Sequence, residues 1–189
     1  MLVLYIHGFN SSPASYKSRY FKQFLDAKHP GNEFICPELP DYPQQAIELL
    51  SRIIESSQVQ SIALVGSSLG GFYAAWLANK YNLRAVLINP AVNPQELLVD
   101  LLGKNTNYYS GREYELTREH IEQLKALQVG VIENIEKFMV LLQTGDEVLD
   151  YRLANKKYIQ SHLIIEQGGN HSFEDFPLYC EEIYQFLAG

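Results

Sequence analysis

The chain predicts a doubly wound α/β fold, a mostly parallel sheet with helices on both faces, and three observations carry that expectation. Short apolar runs recur without polar alternation, as strands buried on both faces of a parallel sheet require. Helical patterns with one apolar stripe fill the intervals between them. One of the strand-to-helix junctions, "LVGSSLGGF" at 64–72, carries three glycines around two adjacent serines, a composition that needs a reason.

The runs and patterns alternate in order. "LVLYI" (2–6) is the first strand, and "Ser12-Pro13" offers an N-cap and an N1 proline to a helix bearing Tyr16, Tyr20, Phe21, Phe24 and Leu25. That helix ends near "HPG" at 29–31. "EFICP" (33–37) is the second strand, and a helix follows Pro43 with Ala46, Ile47, Leu50, Ile53 and Ile54 on one face. "SIALV" (61–65) leads through the glycine-rich junction into a helix marked by Phe72, Trp76 and Leu77. "AVLIN" (85–89), "FMVLL" (138–142) and "HLIIE" (162–166) supply three more strands, and Tyr179, Ile183, Phe186 and Leu187 mark a closing helix. Between Asn89 and Lys137 no strand is evident. A helical pattern with Leu97, Leu98, Leu101 and Leu102, a polar loop "GKNTNYYSGREYE" and a second helix after Thr117 with Ile121, Leu124 and Leu127 form a helical insertion at about 90–136. It is expected either as a lid or as helices that cover the sheet. Tyr108, Tyr109 and Tyr114 in it either line a pocket or pack.

Composition bounds the function. The 189 residues suit one domain spanning 1–189, and 47% hydrophobic with 20% charged residues is ordinary for a globular protein. With 15 basic residues against 22 acidic and a formal charge of −7, no basic stretch stands out, so nucleic acid is not an expected partner. Cys36 and Cys180 are isolated from each other and from histidines at ligand spacing, which reads as free thiols and no metal site. "MLVLYIHGF" is too short and lacks the flanks of a signal peptide, and no run approaches a membrane span, so a cytoplasmic location is expected.

The junction at 64–72 has three candidate readings. A phosphate-binding P-loop needs a lysine after its last glycine, where this chain has Gly71-Phe72. A dinucleotide fingerprint needs a middle glycine where Ser68 stands. Gly66-Ser67-Ser68-Leu69-Gly70 does fit G-x-S-x-G, in which a nucleophilic serine sits on a strained strand-to-helix turn. The frame selects Ser68, because Ser67 would need glycines at Val65 and Leu69.

A serine hydroxyl needs a base and an orienting acid. Of five histidines, His171 in "IIEQGGNHSF" follows the last strand at the carboxyl edge, where ligands gather. His7 and His29 precede Ser68, His120 lies in the insertion and His162 opens a strand. "FMVLLQTGDEVLDY" offers Asp146 and Asp150, with Glu147 between; Asp146 is preferred as the acid, and Asp150 as a helix N-cap. Backbone N–H groups of Leu69, following the nucleophile, and Phe9, in "YIHGFNSS" after the first strand, are the expected oxyanion donors. His7 reads as scaffolding of that loop.

These residues resemble the α/β-hydrolase superfamily and, more narrowly, its small YqiA-like bacterial esterases. The resemblance rests on "YIHGFNSSP" (5–13), "VGSSLGGFYA" (65–74), "NPAVNPQELL" (89–98), "QTGDEVLDY" (143–151) and "GGNHSF" (168–173), in the family's order. It implies Ser68 as nucleophile, Asp146 as acid and His171 as base. It also implies cleavage of carboxylic esters or acyl thioesters such as acyl-CoA, small-molecule substrates, and no cofactor. The chain starts at the strand carrying the oxyanion loop, whereas larger relatives have two strands before it. The expectation is therefore a trimmed six-stranded sheet of order 2-1-3-4-5-6. The competing readings are a non-catalytic binding protein on the same scaffold, and an amidase or peptidase using the same residues.

Overall fold

The computed structural model describes residues 1–189 and contains the six-stranded parallel sheet that the apolar runs require. Its strands are β1 (Leu2–Ile6), β2 (Glu33–Ile35), β3 (Ile62–Ser67), β4 (Arg84–Ile88), β7 (Phe138–Gln143) and β8 (His162–Glu166), in the order β2-β1-β3-β4-β7-β8. Two further short strands, β5 (Gly103–Thr106) and β6 (Glu113–Leu116), pair only with each other. Leaving those two aside, the order is the expected 2-1-3-4-5-6.

Alternation along each strand builds two cores from one sheet. Leu4, Ile6, Leu64, Leu87 and Val140 face one side, where α2 (Pro43–Ser56), α3 (Leu69–Tyr81), α5 (Arg118–Ala126) and α6 (Tyr151–Lys157) cover them. Val3, Tyr5, Val65, Val86 and Leu141 face the other, against α1 (Tyr16–Lys28) and α7 (Cys180–Ala188). A strand wedged between helix layers has no wet face, which is why these runs show no polar alternation. No helix is long and apolar enough to cross a membrane.

Two local expectations change. The first helix begins at Tyr16 with Ser15 as its cap, three residues later than Ser12-Pro13 suggests. The Ser12 hydroxyl instead accepts the Ala14 N–H at 3.1 Å, closing a turn before the helix starts. In the insertion, the polar loop is an antiparallel hairpin, Gly103–Thr106 against Glu113–Leu116. Its signal was weak because Gly103, Lys104 and Asn105 are poor strand formers, and the only alternation lies in the four residues "EYEL", where Tyr114 and Leu116 are buried. The leucines at 97–102 form only α4 (Pro94–Leu98) and a 3-10 turn over Val99–Leu101, while α5 contributes Ile121 and Leu124 to the core against α2 and α4.

All the βα junctions of a parallel sheet open at one edge, which brings the ends of β1, β3, β7 and β8 together. The opposite end of the sheet is closed by packing. Phe138, 1% exposed at the start of β7, lies against Tyr158 with ring centroids 6.3 Å apart. Phe138→Ala is expected to cost about 3–5 kcal/mol, read as a lower midpoint in urea unfolding with an unchanged slope.

Candidate active site

Ser68 lies between β3 and α3 with φ 56° and ψ −121°, in the region that L residues rarely adopt. The glycines around it explain how that strain is held. A Cβ on Gly66 would overlap the Gly70 carbonyl, and one on Gly70 would overlap the carbonyl oxygens of Ile6 and His7. β1, β3 and the first turn of α3 therefore approach more closely than any side chain allows. Ser67 is buried at the end of β3, 7% exposed, whereas Ser68 is half-buried with its hydroxyl directed to the open edge.

That hydroxyl meets His171. Ser68 Oγ is 3.0 Å from His171 Nε2, and His171 Nδ1 lies 2.8 and 3.0 Å from the two oxygens of Asp146. A carboxylate only accepts, so Nδ1 carries the proton and Nε2 is left to accept the serine hydroxyl. Asp146 Oδ1 also accepts the backbone N–H groups of Val148 (2.9 Å) and Leu149 (2.8 Å). Only 2% of the Asp146 side chain is exposed, so its charge reaches the imidazole with little screening by water. Asp150, the alternative acid, is turned elsewhere. It caps α6 by accepting the Arg152 N–H at 3.0 Å and pairs with the Arg152 guanidinium at 3.3 Å.

The two expected donors lie on chain segments next to Ser68, Leu69 directly after it and Phe9 after Gly8, which packs against Ser68. Leu69 N–H is the first of α3 and has no acceptor within the helix, and the Phe9 N–H has no acceptor in the protein. Neither N–H is taken up within the protein, and Leu69 sits at the positive end of the α3 dipole. Gly8 completes the close packing, since a Cβ there would stand 3.2 Å from Ser68 Cβ. His7 supports the loop, with Nδ1–H donating to the Gly8 carbonyl (3.0 Å) and Nε2 accepting the Leu39 N–H (3.3 Å). Burial lowers its pKa and keeps it neutral.

The hairpin missing from the sequence reading braces the same loop. Tyr114 OH donates to Asn10 Oδ1 at 2.7 Å and meets Phe9 edge-on, with ring centroids 6.4 Å apart. Arg112, on the hairpin turn, pairs with Asp41 at 2.6 Å. Tyr114 is thus a packing residue, while Tyr108 and Tyr109 are exposed at the tip.

The His171 loop depends on residues that carry no motif. Asn89, at φ 40°, donates from Nδ2 to the carbonyls of Asn170 (3.1 Å) and His171 (3.3 Å) and accepts the Gln143 N–H (3.0 Å). Gln143 Oε1 accepts the Asn170 and Glu174 N–H groups at 3.1 and 2.8 Å. Glu147 accepts the His171 N–H at 3.0 Å, and Lys17 of α1 donates to the Ser172 carbonyl at 2.8 Å. A buried asparagine and glutamine at strand ends look, in sequence, like any strand terminus. Only their partners reveal the role. Cys36 and Cys180 are free and apart from this site, and His29, His120 and His162 make their contacts elsewhere.

The chain matches the model of the uncharacterised protein family UPF0227 over residues 2–188, and it belongs to that family. The UPF0227 protein of Yersinia pseudotuberculosis is 24% identical over 190 residues, covering 98% of both chains. Among solved structures, alpha/beta hydrolase domain-containing protein 10 from mouse superposes with a TM-score of 0.78 at 16% identity, covering 99% of this chain and 89% of its own. Est1E of Butyrivibrio proteoclasticus, solved with ferulic acid bound, gives 0.73 at 15% identity, with 99% and 88% covered. The esterase Pf2001 of Pyrococcus furiosus gives 0.68 at 14%, with 99% and 80% covered. The fold is that of the α/β hydrolases, as the resemblance implied.

Two outcomes test how the His171 loop is held. Asn89→Ala removes three hydrogen bonds of a buried side chain at a positive φ and is expected to cost about 2 kcal/mol or more, with faster amide exchange at Gln143, whose N–H it leaves without an acceptor. Burial lowers the Lys17 pKa from 10.5 to about 8, against the opposing pull of Asp146. Between those values the unfolded chain holds more protons than the native one, so this group makes the protein more stable as pH rises. The stability of wild type relative to Lys17→Met, from urea unfolding, should therefore increase from pH 8 to 10.5.

Proposed function

We propose that this UPF0227 member is a serine hydrolase that cleaves carboxylic ester or acyl thioester bonds through an acyl-enzyme. The observation that carries the reading is the unbroken hydrogen-bonded chain Ser68–His171–Asp146 on a strained turn beside two free backbone donors. Among its structural neighbours, the mouse alpha/beta hydrolase domain-containing protein 10 and the Pyrococcus furiosus esterase Pf2001 agree with it.

The steps follow from the geometry. Ser68 Oγ attacks the acyl carbon while its proton passes to His171 Nε2, 3.0 Å away. The carbonyl π electrons move onto oxygen, which takes the N–H groups of Phe9 and Leu69. One missing donor of this kind typically costs about 3–4 kcal/mol of transition-state stabilisation. Asp146 holds the Nδ1–H tautomer and stabilises the imidazolium that forms. Collapse of the intermediate breaks the bond to the leaving oxygen or sulfur, which receives the proton from His171. Water then attacks the acyl-Ser68 ester, giving one proton to Nε2 as it adds. Ser68 leaves with that proton, and the carboxylic acid is released. The chain's own residues supply every proton transfer, so the proposed reaction calls for no cofactor. Small-molecule esters or thioesters are the substrates expected of it.

A fluorophosphonate probe should label wild type and Ser67→Ala but leave Ser68→Ala unlabelled; equal labelling of Ser68→Ala would sink the assignment. With p-nitrophenyl butyrate, Ser68→Ala and Asp146→Asn are each expected to lower kcat by about 10⁴-fold or more. Asp150→Ala should cost only about 1 kcal/mol of stability through the lost cap, with kcat nearly unchanged.

A further inference from the structure

The proposed chemistry is indifferent to the acyl group, but the walls around Ser68 are not. A cavity of about 270 Å³ opens onto Ser68. Leu97 and Leu98 of α4 with Leu101 of the next turn form one wall, and Val148 and Leu149, just past Asp146, form the other. Phe9 and Leu69, whose N–H groups face the expected oxyanion, also line it. Ser68 is the only polar side chain on its surface, and no charged residue lines it. Leu97, Leu101 and Val148 are 44%, 43% and 54% exposed. Single exposed apolar residues are ordinary, but these three converge on one mouth. Past Leu97, Val148 and Leu149 lies a second hollow of about 170 Å³, bordered by Glu96, Asn93 and Asp150.

We propose that the cavity is an acyl site selecting uncharged aliphatic acyl groups of medium length, about six to ten carbons; this rests on the serine-hydrolase reading. An acyl carbon on Ser68 Oγ, with its oxygen on the two N–H groups, lies beside Phe9 and Leu69 and so at the cavity mouth. An apolar cavity of about 150 Å³ takes a six-carbon ring, roughly 25 Å³ per carbon. On that scale 270 Å³ takes about ten carbons. A chain burying its methylenes there covers the three exposed side chains, and each methylene is worth about fourfold in kcat/KM. A longer chain meets water or the hollow with the Glu96 and Asp150 carboxylates, so the gain stops. An acyl group ending in a carboxylate has no cation to meet. A phenolic acyl group has no partner for its ring hydroxyl.

The experiment measures kcat/KM for p-nitrophenyl esters from acetyl to hexadecanoyl, with a feruloyl ester alongside, on wild type, Leu97→Trp and Val148→Asp. Wild type should climb about fourfold per methylene to an optimum between hexanoyl and decanoyl, with the feruloyl ester well below octanoyl. Both variants should lower the octanoyl-to-acetyl ratio at least tenfold. A flat profile, an optimum at hexadecanoyl, a feruloyl preference or an unmoved ratio overturns the acyl-site proposal while leaving the hydrolase reading intact. Octyl and ethyl fluorophosphonates separate the two further, because labelling needs no turnover. The octyl probe should react faster with wild type and lose that advantage in both variants, and equal rates overturn the proposal. Absence of both labelling and turnover overturns the hydrolase reading and the acyl site with it.

Discussion

The close approach of three backbone segments at Ser68 is the constraint on which the site depends. The end of β1, the end of β3 and the first turn of α3 meet where Gly66 and Gly70 leave no room for a Cβ, with Gly8 nearly as close. A serine at φ 56° costs on the order of 1–3 kcal/mol and persists only because its surroundings fix it. The fixing comes from the sheet itself, since β1 and β3 are adjacent central strands buried in both cores. Strain at the turn therefore rests on strands that are buried on both faces. The proposed oxyanion donors, the Phe9 and Leu69 N–H groups, each follow directly from a segment in that contact.

Asp146 and His171, the proposed acid and base, are held by a different device. The loops after β7 and β8 have no such glycine contact with β3. They are tied by the side-chain amides of Asn89 and Gln143, which take up the backbone groups that those loops leave unpaired. A buried amide left without partners is costly, so a pair that satisfies each other and the loop admits few alternative arrangements. Asp146 adds its own turn by accepting two backbone N–H groups, which orients the carboxylate before any imidazole arrives. Gly145 and Gly169 follow the same logic: a Cβ on the first would overlap the Gly168–Gly169 backbone, and one on the second the Gln143 amide.

What was legible in the sequence was what local chemistry dictates. Parallel strands announce themselves by unbroken apolar runs, and G-x-S-x-G announces its turn because only glycine fits there, so the strands and the convergence of Ser68, Asp146 and His171 were readable, while the sheet order came with the resemblance to the α/β hydrolases. Residues whose role depends on a distant partner were not. Asn89 and Gln143 end strands like many polar residues, and Tyr114 sat in a stretch without enough alternation to suggest a hairpin. Ser12-Pro13 misled because an N-cap and a serine turn share one composition, and only the hydrogen bond to Ala14 distinguishes them.

The two sides of Ser68 differ in kind. On the reacting side Ser68 stands between strands inside the sheet, and the Asp146 and His171 loops are tied by the amides of Asn89 and Gln143. On the apolar side the wall is a five-residue helix and a three-residue turn, with three half-exposed hydrophobic side chains at the mouth. So short a helix has almost no stability of its own and stands only by packing against its neighbours. Adjustment to a substrate therefore falls on Leu97 and Leu101 and not on the turn that holds Ser68. Substitutions in 94–101 would thus reshape the proposed acyl site while leaving the backbone contact between Gly66, Gly70 and β1 untouched.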